Sequence, residues 1–314
     1  MLLPPKNLLL AVGYPRCDPA DFRDIAQRMA KIAPDIRVQV FHPAGFSDIP
    51  YDTWKIPTLL INLMLSQPLA LPRGAQLLSR QLSKLQQDEM FRLGGIKTPK
   101  VARYEIGMPL DQEVWGDFVL MKPMPLHMTS KGKSIQLFRT RRLAAMSAGD
   151  FPPSHFVHTT PMLIQTFIDS GPFPQKYRAL TLCGEVLYIA EDTCGTRRPD
   201  FSAPDEKIEA GIYHANGARV EYGQYPGIPE YARKIASAFP SLPLLGCDII
   251  RDVHTGDLYA LEVNAGGNVW HFSSKMMADR RAMFPEDSEV RLKQYGAFDV
   301  AAKALIRATR QMAV

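Results

Sequence analysis

The sequence predicts an α/β protein of mixed α+β type, divided into two or three packed subdomains. Three observations predict it: an opening strand–helix–strand unit, a strand–loop–strand stretch near the middle, and two hairpins in the second half. At 314 residues the chain is too long for one small core.

The first unit is expected over residues 1–76. Leu8–Val12 is a short apolar run that reads as a buried strand. Asp18-Pro19 supplies an N-cap and a proline at the first helical position, and Phe22, Ile25, Ala26, Met29 and Ala33 follow at helical spacing. Val38 and Val40 alternate with polar residues in a second strand, and Leu59–Leu65 is a third. A loop with Pro68, Pro72 and Gly74 closes the unit.

A second unit is expected over residues 77–165. From Leu77 to Pro99 a helix stops at Gly94-Gly95 and the chain reverses toward Thr98-Pro99. Asp117–Lys122 is a strand that ends in Lys122-Pro123. The polar stretch His127–Ser134 separates it from strand Ile135–Phe138, so a hairpin with a mobile tip is expected. Ser147–Pro161 reads as loop, and Met162–Ile168 is a strong strand. The third unit, 166–314, opens with a hairpin of Tyr177–Leu182 and Val186–Ala190 around Cys183-Gly184-Glu185. Residues 193–228 are loop-rich, Glu230–Phe239 is a helix opened by Pro229, and Phe298–Arg310 is a closing helix.

Composition excludes several classes. Apolar residues make up 46% and charged residues 22%, as in ordinary soluble domains. The formal charge of +5 is too mild, and the basic residues too dispersed, to argue for nucleic acid, but it suits an anionic small ligand. Cys17, Cys183, Cys194 and Cys247 form no C-x-x-C pair, and no His lies at zinc-ligand spacing, which points to buried thiols in a reducing compartment. No run of about 18 apolar residues could span a membrane, and Leu8–Val12 is too short for a signal segment. A cytoplasmic protein without membrane or nucleic-acid partners is expected. The closing helix and the first unit could each support a homodimer.

Residues Leu244–Asn268 raise the sharpest chemical question. Side chains alternate faces along a strand, so Glu262 and Asn264 share a face. Pairing Asp252 with Leu258 across a five-residue loop sets Asp248 opposite Glu262. Two like charges so placed, about 5 Å apart at Cβ, are destabilising unless something positive lies between them. Magnesium would answer this, because it takes oxygen ligands from one or two carboxylates plus phosphate oxygens. A solvated acidic face is the alternative. Ala265-Gly266-Gly267 argues against it, since glycines permit close approach of the backbone to a ligand.

An Asp on one strand and Glu-x-Asn on the next resembles the magnesium site of the ATP-grasp superfamily. That family includes glutathione synthetase, D-alanine–D-alanine ligase and enzymes that add amino acids to protein C-termini. The resemblance extends from about Ser79 to the end, because other stretches match in order: LSKLQQDEMFRLGGIKTP around Lys84, FVLMKP around Lys122, SKGKS at Ser130–Ser134, LIQTFID around Gln165 and KYRAL around Arg178. It implies an ATP-grasp fold, two lobes clasping ATP, preceded by a small α/β unit. It implies Lys84 and Lys122 as phosphate contacts, Ser130 and Gly132 in a flexible loop over the phosphates, and Gln165, Thr166, Phe167 and Ile168 at the adenine edge. Arg178 becomes the catalytic arginine, and Asp248, Glu262 and Asn264 become ligands of Mg2+, which Mn2+ could replace.

The chain also departs from the family. SKGKS holds one glycine where several are usual. Gly246 stands where D-alanine–D-alanine ligase has an arginine, which leaves Arg197 or Arg198 to neutralise developing charge unless they are a solvated basic loop. AGGNVWHFSS replaces the usual Pro-Gly turn, so Gly267, Asn268, Trp270 and His271 could line a substrate pocket, with Trp270 equally readable as core. The implied activity is an ATP-dependent carboxylate–amine ligase that forms an amide or peptide bond through an acyl phosphate. Its substrates would be a small-molecule carboxylate and an amine, or a peptide. A small-molecule kinase of the same fold and a nucleotide-binding regulatory protein without turnover are the alternatives.

Overall fold

The computed structural model describes residues 3–64, 68–124, 134–215 and 218–314. The first unit is a parallel sheet in the order β2-β1-β3-β4, with β1 Lys6–Ala11, β2 Ile36–Phe41, β3 Thr58–Asn62 and β4 Ala75–Leu78. Helix α1, Pro19–Ile32, starts as the sequence suggests, with the Asp18 side chain accepting from the Ala20 N–H. The sequence reading missed β4 and placed Leu77 and Leu78 in a helix. They continue the sheet past residue 76, and the helix α2 is Lys84–Leu93. It begins at a capping box, in which Ser83 accepts from the Gln86 N–H and Gln86 answers to the Ser83 N–H.

The middle unit is an antiparallel sheet in the order β5-β8-β6-β7, with β5 Val101–Tyr104, β6 Phe118–Pro123, β7 Gln136–Arg139 and β8 Met162–Thr166. Short helices α3, Gln112–Trp115, and α4, Thr140–Ala145, flank it. The expected hairpin is present, with Met121 opposite Gln136, but Ser130 and Gly132 lie outside the described residues. The third sheet is antiparallel, in the order β11-β10-β9-β12-β13: β9 Gln175–Leu182, β10 Glu185–Thr193, β11 Arg219–Tyr222, β12 Leu244–Arg251 and β13 Leu258–Ala265. Helix α5, Asp205–Glu209, and strand β11 lie within the stretch expected as loop, and α6 is Ile228–Ser237. After β13 come α7 Ala278–Met283, α8 Glu286–Gln294 and α9 Ala297–Met312. None of the described helices is long and apolar enough to cross a membrane. All four cysteines are free.

Two cores cover the faces of the third sheet. On one face, α6 and α2 pack over Ala179, Ile189, Cys247, Ile249 and Val263. On the other, Leu180, Tyr188 and Leu244 share a single core with α1, β1, β3 and α9. The last helix therefore seals the first unit to the third sheet rather than belonging to either alone.

The segment after β13 completes that second core, which corrects part of the sequence reading. Trp270 is fully buried, stacked on Phe298 and packed on Phe22 and Phe272, and its Nε1 donates to Asp21 at 2.7 Å. It is core and does not line a substrate pocket. Gly267 is also buried. A Cβ there would sit 2.7 Å from the Arg16 Cβ and 3.2 Å from the Cys17 Sγ. The glycine thus seats the chain against the β1–α1 loop, a close approach to protein rather than to ligand. Replacing Trp270 with Ala is expected to cost about 3–5 kcal/mol of stability, the range for a large aromatic removed from a core. Urea unfolding followed by circular dichroism measures it, and a loss below about 1 kcal/mol would mean that this segment is peripheral to the core.

Candidate active site

Three of the charged residues singled out in the sequence, Arg178, Asp248 and Glu262, converge on one face of the third sheet. Arg178 on β9 lies directly opposite Asp248 on β12, and Asp248 lies directly opposite Glu262 on β13. Opposed and alternate residues share a face, so Lys176, Arg178, Asp248, Glu262 and Asn264 form one charged surface. The facing of Asp248 and Glu262 is as read, but its cause differs. The hairpin closes with Arg251 opposite Leu258, one residue short of the expected pairing, and a bulge between Asp248 and Ile249 restores the register.

The repulsion between the two acids is answered by side chains. Arg178 makes a fork to Asp248, with Nε to Oδ1 and an Nη to Oδ2 both at 2.7 Å, and Lys176 reaches Oδ2 at 2.8 Å. Burial alone would push up the Asp248 carboxyl, but Arg178 and Lys176 outweigh it and hold the group well below the usual carboxylate range. Glu262 is paired with Lys84. The charge pattern therefore does not by itself demand a metal. Lys176 escaped the sequence reading; its signal was its position two residues before Arg178, which fixes it on the same face.

The donor set nevertheless fits a hard cation. A carboxylate offers about four lone-pair sites, of which Asp248 uses three. Glu262 is partly exposed, and Asn264 donates Nδ2 to Glu262 Oε1 at 3.2 Å, which leaves its own carbonyl oxygen free. Among the described residues no group of three or more His, Cys, Asp and Glu gathers as a metal site. Two carboxylates and an amide would need phosphate oxygens or water to complete a shell.

Beside this surface, a narrow, partly solvent-open cleft is lined by Lys84, Gln87, Asp88, Lys122, Gln165 and Leu261. Gln87 accepts from the Val263 N–H at 2.8 Å and pins α2 to β13, so Lys84, one turn earlier, falls on Glu262. Lys122 enters from the end of β6 and donates to Gln165 Oε1. Among the described residues no acid pairs with it; burial lowers its ammonium to about 7, and Lys84 adds to the effect. The N–H groups of Thr166 and Phe167 are already donated to the carbonyls of Lys100 and Phe118, and the Phe167 ring packs among Phe118, Phe201 and Tyr213. Of the expected adenine-edge N–H groups beyond β8, that of Phe167 is taken, while that of Ile168 meets no acceptor among the described residues.

The remaining residues are placed as follows. Arg198 is bound to buried Asp169 at 2.8 Å and lies over the Phe201 ring, so it ties the β8–β9 connection to the following loop. Arg197 is exposed and pairs with Asp200. Neither arginine is in a position committed to the acids of the sheet. Asn268 is partly buried. His271 lies beside Tyr188, ring centroids 6.3 Å apart, and burial, reinforced by Arg178 and Arg291, lowers its imidazole to about 3. It is neutral at physiological pH.

No protein-family model matches the chain, and no curated protein matches its sequence. Solved structures do resemble it. One is the macrocyclase MdnC bound with precursor peptide MdnA from Microcystis aeruginosa MRC, at 11% identity over 96% of this chain and 99% of that one, with a TM-score of 0.48. Another is D-alanine–D-alanine ligase from Bacillus anthracis, at 12% identity over 98% and 99%, with a TM-score of 0.46. A third is the ATP-grasp ligase PsnB complexed with minimal precursor, Mg and ADP, at 12% identity over 97% and 98%, with a TM-score of 0.49. The chemistry of the cleft follows from its own side chains.

Lys122 yields a stability signature. Its folded pKa of about 7 lies below the unfolded value of about 10.4, so between these the unfolded chain holds one more proton than the folded one. Its contribution to stability therefore rises as pH increases from about 7 to about 10. Lys122→Met is expected to flatten that rise and to leave stability at pH 6 equal or higher. Urea midpoints at several pH values check this, and lower stability of the variant at every pH would mark Lys122 as a structural residue.

Proposed function

We propose that this protein is an ATP-dependent carboxylate–amine ligase of the ATP-grasp type, forming an amide through an acyl phosphate with magnesium. The observation that carries the reading is the convergence of Lys84 and Lys122 in one cleft with Glu262, Asp248 and Asn264 at its edge. Two sunken ammonium groups, of which only Lys84 is held by an acid among the described residues, suit the phosphates of a nucleotide, and the oxygen donors suit the cation that accompanies it. Asp248, Glu262 and Asn264 would hold the magnesium, which would offset charge on the phosphate oxygens.

A free carboxylate is a poor acyl donor because its leaving group is oxide. Moving the γ-phosphoryl group onto it makes phosphate the leaving group, and an amine then displaces it. The side chains serve mainly to position and to balance charge. Lys84 and Lys122 bind phosphate oxygens. Arg178, with its guanidinium on the same surface, orients the phosphoryl group or the substrate carboxylate by forked hydrogen bonds. The donor is a carboxylate and the acceptor an amine, free or carried by a peptide.

Incubation with Mg2+, ATP and a small-molecule extract, followed by mass spectrometry, tests the reading. ADP with a product equal to a carboxylate plus an amine minus water supports a ligase; a phosphate ester would make the protein a kinase. Glu262→Gln is expected to abolish turnover. It is a cleaner variant than Asp248→Asn, which would also strip Arg178 of its buried partner. Lys122→Ala is expected to weaken ATP binding by about tenfold or more, the scale of one charge-assisted contact. Calorimetry above pH 7 should in addition detect proton uptake with ATP, as phosphate restores the charge on Lys122, and equal ATP affinity in the variant would remove Lys122 from the nucleotide site.

A further inference from the structure

Asp192 stands on the same charged face, one strand beyond Arg178, and has no role in the scheme above. It lies opposite Lys176 across β9 and β10, as Ala190 lies opposite Arg178. Lys176 turns away from it and gives its ammonium to Asp248. Among the described residues no salt bridge and no side-chain hydrogen bond engages the Asp192 carboxylate, and it remains partly open to solvent. Its neighbours on the face are Lys176 and Arg178 from β9, Asp248 from β12 and Arg280 from α7, while Val220 opposes it from β11. Arg280 is itself held by Asp287 at 2.8 Å.

An acid left unpaired next to three cations that have all taken other partners is not serving as a structural ion pair. It is a poor second metal ligand, because Arg178 stands between it and Asp248. What it complements is a positive group arriving from solvent beside the reacting carboxylate. The second substrate of a ligase is such a group, since an alkylamine is an ammonium at neutral pH and must lose a proton before it attacks.

Resting on the ligase reading, we propose that Asp192 is the catalytic residue that binds the ammonium of the acceptor and takes its proton. The amine lone pair then forms the C–N bond, and the C–O bond to phosphate breaks with its electron pair on phosphate. Of the two protons shed by the ammonium, Asp192 takes one and the departing phosphate the other. Burial, with Asp248 nearby, raises the Asp192 pKa even though Lys176 and Arg178 oppose it, and this makes the carboxylate a stronger base.

Hydroxylamine separates the half-reactions, because it is already neutral near pH 7 and needs no base. Wild type and Asp192→Asn are incubated with Mg2+, ATP and the extract, with and without hydroxylamine, and hydroxamates and amides are quantified. The variant should keep hydroxamate formation within about twofold and lose amide formation by about 10²-fold, the usual contribution of a general base. Asp192→Glu should recover part of the loss. Equal amide formation by variant and wild type, or equal losses of amide and hydroxamate, would overturn the assignment while leaving the ligase reading in place. If wild type makes neither product, the ligase reading falls and takes this assignment with it. Circular dichroism confirms that the variants are folded.

Discussion

The fork between Arg178 and Asp248 organises the functional face. Both groups are largely withdrawn from water, and removing one partner of such a pair typically costs about 3–5 kcal/mol because a buried charge is left uncompensated. The two strands are neighbours in space though distant in sequence, so the pair forms only when the third sheet is complete. Once formed, it fixes the position of every other charge. Lys176 shares Asp248, Glu262 faces Asp248 from β13, and Lys84 reaches Glu262 from α2. The bulge on β13 has the same importance. With the register of Arg251 and Leu258 carried on unbroken, Leu261 would oppose Asp248. One extra residue turns an apolar neighbour into an acid.

The sequence made part of this legible. Period-two alternation put Glu262 and Asn264 on one face, and Lys122 at a strand end was readable from FVLMKP. The hairpin was readable in outline, but its closing pair was misjudged by one residue. The error was harmless only because the bulge compensates for it, and no local pattern announced that bulge. Ala75–Leu78 was too short to stand out as a strand, and the run of leucines that follows imitated a helix. Ser83 and Gln86 did mark the true helix start, but a capping box weighs little against apolar residues upstream.

Contacts far apart in sequence were illegible. Gly267 needs its small size because of Arg16 and Cys17, and Trp270 is core because of Phe22, Asp21 and Phe298. Such residues resemble a ligand-facing turn until the first unit and the last helix are brought against them. The pairing of Arg198 with Asp169 was hidden for the same reason.

Charge at the cleft supports reading these side chains as a binding site rather than as a stability device. Lys84, Lys176 and Arg178 are each committed to Asp248 or Glu262, and Lys122 pairs with no acid among the described residues. Burying an ammonium without a counter-ion opposes folding, and chains tolerate such a cost chiefly where function requires it. A divalent cation arriving alone would meet Asp248 and Glu262 already neutralised by lysine and arginine. On the ligase reading, a polyphosphate would draw Lys84 and Lys122 toward itself and free Glu262 for a metal. On that reading, nucleotide and metal would enter together, with the nucleotide releasing the ligands that the metal takes.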